Sequence, residues 1–291
     1  MIKEYVILSG KGGTGKTSVA ASFALLAKNK VMADCDVDAA DLHLIIKPQS
    51  IKEEIFEGGK KAFVNSDACI SCGKCVELCR FDAISDSFAA DTLSCEGCGV
   101  CAAFCPAGAI EMRPHQSGKW FVSETEYGPM VHARLGIAEG NSGKLVTIIR
   151  NKAKEIAKAN NFKTVIVDGS PGTGCPVIAT VTGCSFVLIV TEPTVSGIHD
   201  LKRVHALVEH FRVKTAVCVN RCDINKEKAD EIEAFCNEKG TPLWARIPYD
   251  DDVTKAQIAG KSVVEFSDGP AASAIRELWI KMEKEIQTEG V

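Results

Sequence analysis

Aromatic side chains are scarce in this 291-residue chain, with only 3 Trp and 3 Tyr, and long apolar runs are missing altogether. Stretches such as Phe186 to Val190 fall far short of the roughly 20 residues that a bilayer requires, so no stable membrane insertion is expected. The first residues carry neither the apolar core nor the small-residue cleavage site of a signal peptide, which gives a cytoplasmic expectation. Basic runs are absent too. The 34 Lys and Arg residues against 38 Asp and Glu leave a formal charge of −4, and no cationic face offers the phosphate neutralisation that nucleic-acid binding demands. No nucleic-acid partner is expected. The 6 histidines show no metal-ligand spacing. Only His132, with Arg134 and Asn141 in a glycine-bearing segment 128–143 that resists assignment, is a candidate partner contact. The last helical pattern places Ile275, Leu278, Trp279, Met282 and Ile286 on one face, yet mixes Arg276, Lys281 and Lys284 with Glu277, Glu283, Glu285 and Glu289. Such a face packs on a sheet rather than on anionic lipid.

Cysteine is the residue in excess: 14 in total, eight of them between Cys69 and Cys105. A disulfide scaffold would be short and would spread its cysteines over the whole fold, so one dense window in a long chain points to metal binding. The window contains the only internal repeat. Cys69-x2-Cys72-x2-Cys75-x3-Cys79 recurs as Cys95-x2-Cys98-x2-Cys101-x3-Cys105, displaced by 26 residues at every position. Zinc ribbons use two widely separated pairs per metal and have no use for the third cysteine two residues on.

Outside the window the chain alternates. The β-type run Lys3 to Ser9 leads through glycines to a helical pattern at Lys16 to Lys28, then a strand from Lys30 to Ala33 that ends in Asp34-Cys35-Asp36. After Pro48 the composition changes, and Trp120 to Val122 is a short candidate strand. From Lys144 onward strands at 164–167, 186–190, 215–219 and 243–247 alternate with helices. The expected fold is α/β, a mainly parallel sheet covered by helices on both faces, with ligands at the carboxyl ends of the strands. The expected organisation is one domain from residues 1–62 and 113–291, with a small inserted α+β domain at 63–112.

Gly10-Lys11-Gly12-Gly13-Thr14-Gly15-Lys16-Thr17 satisfies the phosphate-loop pattern, in which glycines let backbone N–H groups face phosphate oxygens. Gly10, Gly12 and Gly15 also match a dinucleotide fingerprint, with Asp34 and Asp36 about 20 residues on. The Lys16-Thr17 pair at the helix start favours a triphosphate with magnesium, Lys16 holding β/γ phosphates and Thr17 the Mg2+ ion.

Lys11, a second lysine inside that loop, gives a resemblance to the deviant Walker A loop of MinD/ParA-type P-loop ATPases. The resemblance implies that Lys11 reaches the phosphates of a partner subunit, that Asp36 positions the attacking water, and that Asp168, in Asp168-Gly169-Ser170-Pro171-Gly172-Thr173-Gly174, contacts the magnesium shell. Gly12, Gly13, Thr14, Gly15, Lys16, Thr17 and Ser18 would cradle ATP, and Asn220-Arg221 and Pro248 with Asp250 look like the family's adenine-binding elements. Thr191-Glu192-Pro193-Thr194 fits its strand-to-helix connection. Asp38 and Asp41 are either switch residues or a polar helix start, the latter preferred.

The cysteine window resembles a bacterial two-cluster ferredoxin, in which three clustered thiolates hold one cubane and the fourth crosses to the other. The resemblance implies Cys69, Cys72, Cys75 and Cys105 on one 4Fe–4S cluster, and Cys79, Cys95, Cys98 and Cys101 on the second. Cys79 is followed by Arg80 where that family has proline, and a cation there shifts that cluster's potential, upward or not according to its exposure. Cys175 stands seven residues after Asp168, where the nitrogenase iron protein has a subunit-bridging ligand, but Cys184, Cys218, Cys222 and Cys236 read as buried small residues. Together the modules resemble the MinD-superfamily ATPases with an inserted ferredoxin domain, similar to those of the orange protein complex. That resemblance implies an ATPase, slow without a partner, that acts as a homodimer or pairs with a related ATPase. It would pass electrons to a redox or metallocofactor-assembly protein. A positioning or scaffold ATPase with structural or redox-sensing clusters, and an iron–sulfur cluster carrier, are the alternatives.

Overall fold

Four successive residues, Tyr5, Val6, Ile7 and Leu8, are buried. Neighbours in a strand point to opposite faces, so this pattern demands cover on both sides of a sheet, the environment of a parallel strand between helices. The computed structural model describes residues 2–137, 139–140 and 143–288. Asn141 and Glu289, named above, lie outside them.

The chain begins with β1 (Lys3–Leu8), α1 (Lys16–Leu26), β2 (Lys30–Asp34), the short α2 (Leu42–Ile46) and β3 (Gln49–Val64). Two short helices, α3 (Lys74–Leu78) and α4 (Val100–Ala103), precede β4 (Ile110–Thr125) and β5 (Gly128–Leu135). The alternation then runs α5 (Gly143–Ala159), β6 (Thr164–Asp168), α6 (Cys175–Val181), β7 (Phe186–Thr191), α7 (Val195–His210), β8 (Lys214–Asn220), α8 (Lys226–Lys239) and β9 (Leu243–Ile247). The last helices are α9 (Asp251–Ile258), α10 (Val263–Phe266) and α11 (Pro270–Thr288). Among the described residues, nine strands form one sheet in the order β3-β4-β5-β2-β6-β1-β7-β8-β9. The pairs β5/β2, β2/β6, β6/β1, β1/β7, β7/β8 and β8/β9 are parallel.

The chain divides into two units. The larger comprises Met1–Glu53, Trp120–Arg134 and Asn141–Val291. In it, Tyr5, Ile7, Met32, Ile166, Leu188 and Val190 pack with α1, α10 and α11 in one core. The alternate residues Val6, Leu8, Val31, Val165, Val187 and Ile189 are as deeply buried, and α5 and α7 lie against this sheet as well. Ile275, Leu278, Trp279 and Met282 of α11 face the core, Trp279 meeting Phe23 edge-on at 5.0 Å, so the terminal helix covers the sheet as its pattern demands. No helix among the described residues is long and apolar enough to cross a membrane.

The smaller unit comprises Glu54–Lys119 and Leu135–Gly140, reaching beyond the cysteine-rich window on both sides. Its hydrophobic cluster is modest: Ala62, Ala83, Cys95 and Ile110 at the centre, with Cys75, Cys79, Cys101 and Cys105 packed against them. Cysteine thus forms a large part of what packs in this unit.

Three strand readings change. Trp120 to Val122 belongs to the 16-residue β4. The segment from Gly128 holds β5, whose Met130, Val131 and Ala133 are buried, behind a Gly-Pro pair that resembles a turn. The stretch after Pro48 is β3, with Glu54, Phe56, Gly58 and Ala62 less exposed than the residues beside them, a period-2 pattern obscured by charge and by the Gly58-Gly59 pair.

Candidate functional site

Strands β2, β6 and β1 lie side by side, and their register sets Asp168 opposite both Asp34 and Ile7. The loops that leave the carboxyl ends of these strands must therefore converge. Those loops are 9–15, 35–41 and 169–174. Hydrogen bonds stitch them: Cys35 N–H donates to the Asp168 carbonyl at 2.8 Å, Ser170 Oγ to the Cys35 carbonyl at 2.7 Å, and Gly172 N–H to the Ser9 carbonyl at 2.9 Å. Cys35 itself is fully buried, and desolvation with the adjacent Asp34 pushes its thiol pKa well up, which suits a packing role.

Lys16 opens α1 behind Gly15, which sits at φ 91 with the Asn220 amide against it, so only glycine fits there. The Lys16 ammonium is buried, 2.5 Å from Asp168 Oδ1 and 3.1 Å from Asp36 Oδ2, and it also reaches Thr17 Oγ1 at 3.4 Å. Burial opposes charge on Lys16, but Asp168 and Asp36 outweigh it and hold its pKa above the ordinary lysine range. Burial and the Asp168 charge push Asp34 well above the carboxylate range, and burial raises Asp36 against the pull of Lys16. Three carboxylates thus face one cation. Asp34 Oδ2, Asp36 Oδ1 and Asp168 Oδ2 are buried with no hydrogen-bond partner among the described residues. The Thr17 hydroxyl and a carboxylate of this group are hard oxygen donors that could serve Mg2+ alongside a nucleotide's phosphates and water, although the three carboxylates do not themselves form a closed ion site among the described residues.

The phosphate loop opens onto a cavity of about 330 Å³. It is lined by Gly12, Gly13, Gly15, Lys16, Thr17, Ser18 and Asp36, and across from them by Asn220, Arg221, Pro248, Tyr249 and Asp250. Thr14 is buried behind it, its carbonyl held by Asn220 Nδ2 at 2.8 Å. Asp250 has a structural duty as well: its carboxylate accepts from Asp252 N at 3.0 Å and from Ala271 N at 3.2 Å, tying the starts of α9 and α11 together. Thr254 and Gln257 of α9 and Asp41 complete the wall, and Gln257 Nε2 donates to Ser18 Oγ at 2.9 Å. Nothing in sequence spacing singled out Gln257 or Thr254. Asp41 caps the start of α2 positionally, with no side-chain cap bond.

Lys11 points away from Lys16. Its ammonium pairs with Glu192 at 2.6 Å and contacts Ser196 Oγ at 2.9 Å, and Glu192 also binds Arg221 at 3.1 Å. Glu192 is a hub whose only sequence signal was its place after β7. His132 is not a free partner contact: it stacks on Phe121 at 5.0 Å and shares a 2.9 Å hydrogen bond with Ser123, and burial with the nearby His43 and Arg134 lowers its pKa to about 4. Cys175 is exposed, whereas Cys218 and Cys236 are buried and Cys184 and Cys222 partly so.

In the smaller unit the eight window cysteines surround two cavities. One is lined by Cys69, Cys72, Cys75 and Cys105, the other by Cys79, Cys95, Cys98 and Cys101. The fourth cysteine of each run therefore crosses to the other run. Backbone N–H groups point at three of the sulfurs: Ala109 to Cys105 at 3.3 Å, Ala83 to Cys79 at 3.4 Å and Ala62 to Cys95 at 3.5 Å. No group of three or more His, Cys, Asp or Glu side chains is gathered tightly enough for a single ion among the described residues. Four thiols spread around an apolar cavity, with N–H donors to sulfur, suit a polynuclear group better than one tetrahedral ion with bonds of about 2.3 Å.

Residues 5–263 match the family described as CbiA, the CobQ/CobB/MinD/ParA nucleotide binding domain. The chain is 35% identical over 290 residues to an uncharacterized protein of Methanocaldococcus jannaschii, covering 98% of each. It is 28% identical over 165 residues to an iron-sulfur cluster carrier protein of Pyrococcus horikoshii, across 51% of this chain and 55% of that protein. In fold it is similar to the septum site-determining protein MinD complexed with Mg-ADP from Pyrococcus horikoshii, with a TM-score of 0.60 at 16% identity over 98% of this chain and 97% of that one.

Proposed function

The chain belongs to the CobQ/CobB/MinD/ParA nucleotide-binding family, and we propose that it binds and hydrolyses ATP with Mg2+ and couples nucleotide-driven dimer switching to electron transfer through two 4Fe–4S clusters. Its acceptor is a redox or metallocofactor-assembly protein. The observation that carries this reading is the grouping of eight cysteines into two crossed sets of four in the chain that also bears the phosphate loop.

Phosphoryl transfer asks mainly for positioning and charge stabilisation. The β/γ phosphates of ATP would take the place of Asp36 and Asp168 as partners of Lys16, and Thr17 with the freed carboxylates would hold Mg2+, which would supply charge stabilisation to the phosphates. Asp36 then orients the attacking water. Lys11 must leave Glu192 to reach the partner subunit's phosphates, so turnover of an isolated chain is slow. Clusters held by the two cysteine sets would supply one-electron transfer. The residues around them hold the thiolates in place and, through Ala62, Ala83 and Ala109, donate to sulfur.

Oxygen-free purification with iron and sulfide analysis tests this, with roughly eight irons per chain expected from two cubanes. Lys16→Ala should abolish ATP turnover and leave the iron content unchanged. Zinc in place of iron would overturn the reading. A second reading, a cluster carrier, draws on the likeness to the carrier protein and on the exposure of Cys72 and Cys98. It predicts stoichiometric loss of iron and sulfide to an apoprotein, whereas electron transfer predicts acceptor reduction with the iron retained. Filament or membrane association that depends on ATP and ignores the clusters would favour a positioning ATPase.

A further inference from the structure

The two cysteine sets are related by a sequence repeat, yet the surroundings break the symmetry. Cys79 and Cys105 are equivalent, each receiving the N–H four residues on, from Ala83 and Ala109. Cys95 and Cys69 are not. Cys95 is buried under three consecutive residues of β3. The Lys60 carbonyl lies where a side chain on Gly97 would be, the Lys61 ammonium donates to the Cys95 carbonyl at 2.7 Å, and the Ala62 N–H points at the Cys95 sulfur at 3.5 Å. Among the described residues, Cys69 has no N–H donor on its sulfur and no ammonium on its carbonyl.

Lys61 is largely buried, and its ammonium also pairs with Glu139 at 3.2 Å, which His115 approaches at 3.2 Å. An extra N–H to sulfur and a fixed cation both stabilise the more negative, reduced state of a bound cluster relative to the oxidised one. Arg80, the cation that sequence alone would credit, is exposed and therefore screened.

We infer that Lys61 is a positioning residue that makes the two sets unequal, so that a cluster on Cys79, Cys95, Cys98 and Cys101 is reduced more readily than its counterpart. The inference rests on the cluster reading above. Glu139 opposes the effect by partly cancelling the lysine charge; Glu96 beside the same set and Lys74 beside the other oppose it as well, but both are exposed and screened.

The test is a potentiometric titration of the full-length, iron-loaded chain followed by electron paramagnetic resonance, beside an iron count. Two reduction waves are expected. Lys61→Met should lower only the higher wave, by about tenfold in its reduction constant, or ~59 mV for a one-electron couple. Lys61→Arg should restore it, and Glu139→Gln should raise it. Iron-loaded protein in which Lys61→Met moves neither wave, the lower wave, or both equally overturns the inference while leaving the cluster reading standing. Protein reconstituted with iron and sulfide that retains no iron overturns both.

Discussion

Replacing Lys16 with methionine removes a charge while keeping most of the stem volume. In the wild-type protein the buried ammonium is shared by Asp168 at 2.5 Å and Asp36 at 3.1 Å, with Asp34 next in line. Without it three carboxylates are crowded together with no cation. Breaking a buried pair by removing one partner costs about 3–5 kcal/mol. At about 2–4 °C per kcal/mol for a domain of 150–250 residues, Lys16→Met should lower the melting temperature of the nucleotide-binding unit by ~6–20 °C. The loss should be smaller in mild acid, because the carboxylates escape repulsion by taking up protons. Calorimetry of nucleotide-free protein measures it, and the double variant Lys16→Met/Asp168→Asn should recover at least half of the loss. A shift below ~2 °C at neutral pH, or a double variant no more stable than the single one, would refute the electrostatic reasoning.

Further outcomes follow from the same geometry. Asp34 and Asp36 have folded-state pKa values raised above the ordinary 3.8, so across that window the native state holds more protons than the unfolded chain. The contribution of these carboxylates to the stability of nucleotide-free protein should therefore fall as pH rises above the ordinary 3.8, and MgADP should offset most of the fall; an Asp36→Asn variant that gains no stability relative to the wild type as pH rises would contradict it. Cys105→Ser and Cys69→Ser should erase the same spectroscopic signal, and Cys79→Ser and Cys95→Ser the other, each losing about half the iron. If Cys105→Ser instead erased the signal that Cys95→Ser erases, the crossed sets would be wrong. Lys11→Ala removes a pair that is partly exposed on the lysine side, worth about 0–1 kcal/mol, so melting should barely change while light scattering shows ATP-dependent dimers lost. A large drop in melting temperature would make Lys11 a structural residue.

The nucleotide site was legible in sequence wherever a strand end fixed the position of its residues. Asp34, Asp36 and Asp168 follow β2 and β6, Lys16 follows β1, and adjacent parallel strands leave those ends no choice but to meet. The grouping of the window cysteines around two cavities was legible because their repeat spaces both runs identically. What stayed hidden depends on contacts between segments distant in sequence. Glu192 gains meaning only through Lys11, and Gln257 only through Ser18. Asp250 lines the cavity but spends its carboxylate on two helix starts. Strand β3 was missed since its charged, largely exposed residues carry no apolar alternation strong enough to read, and nothing in the sequence singles out Lys61, largely buried within it.

The claim that nucleotide and clusters act on one another is tested most directly by measuring the midpoint potentials of the iron-loaded chain with MgATP, with MgADP and with neither, beside Lys16→Ala as the control. The account predicts that MgATP moves at least one potential in the wild-type chain and none in the variant. Potentials that stay the same in all three conditions, in protein shown to bind the nucleotide, would contradict it.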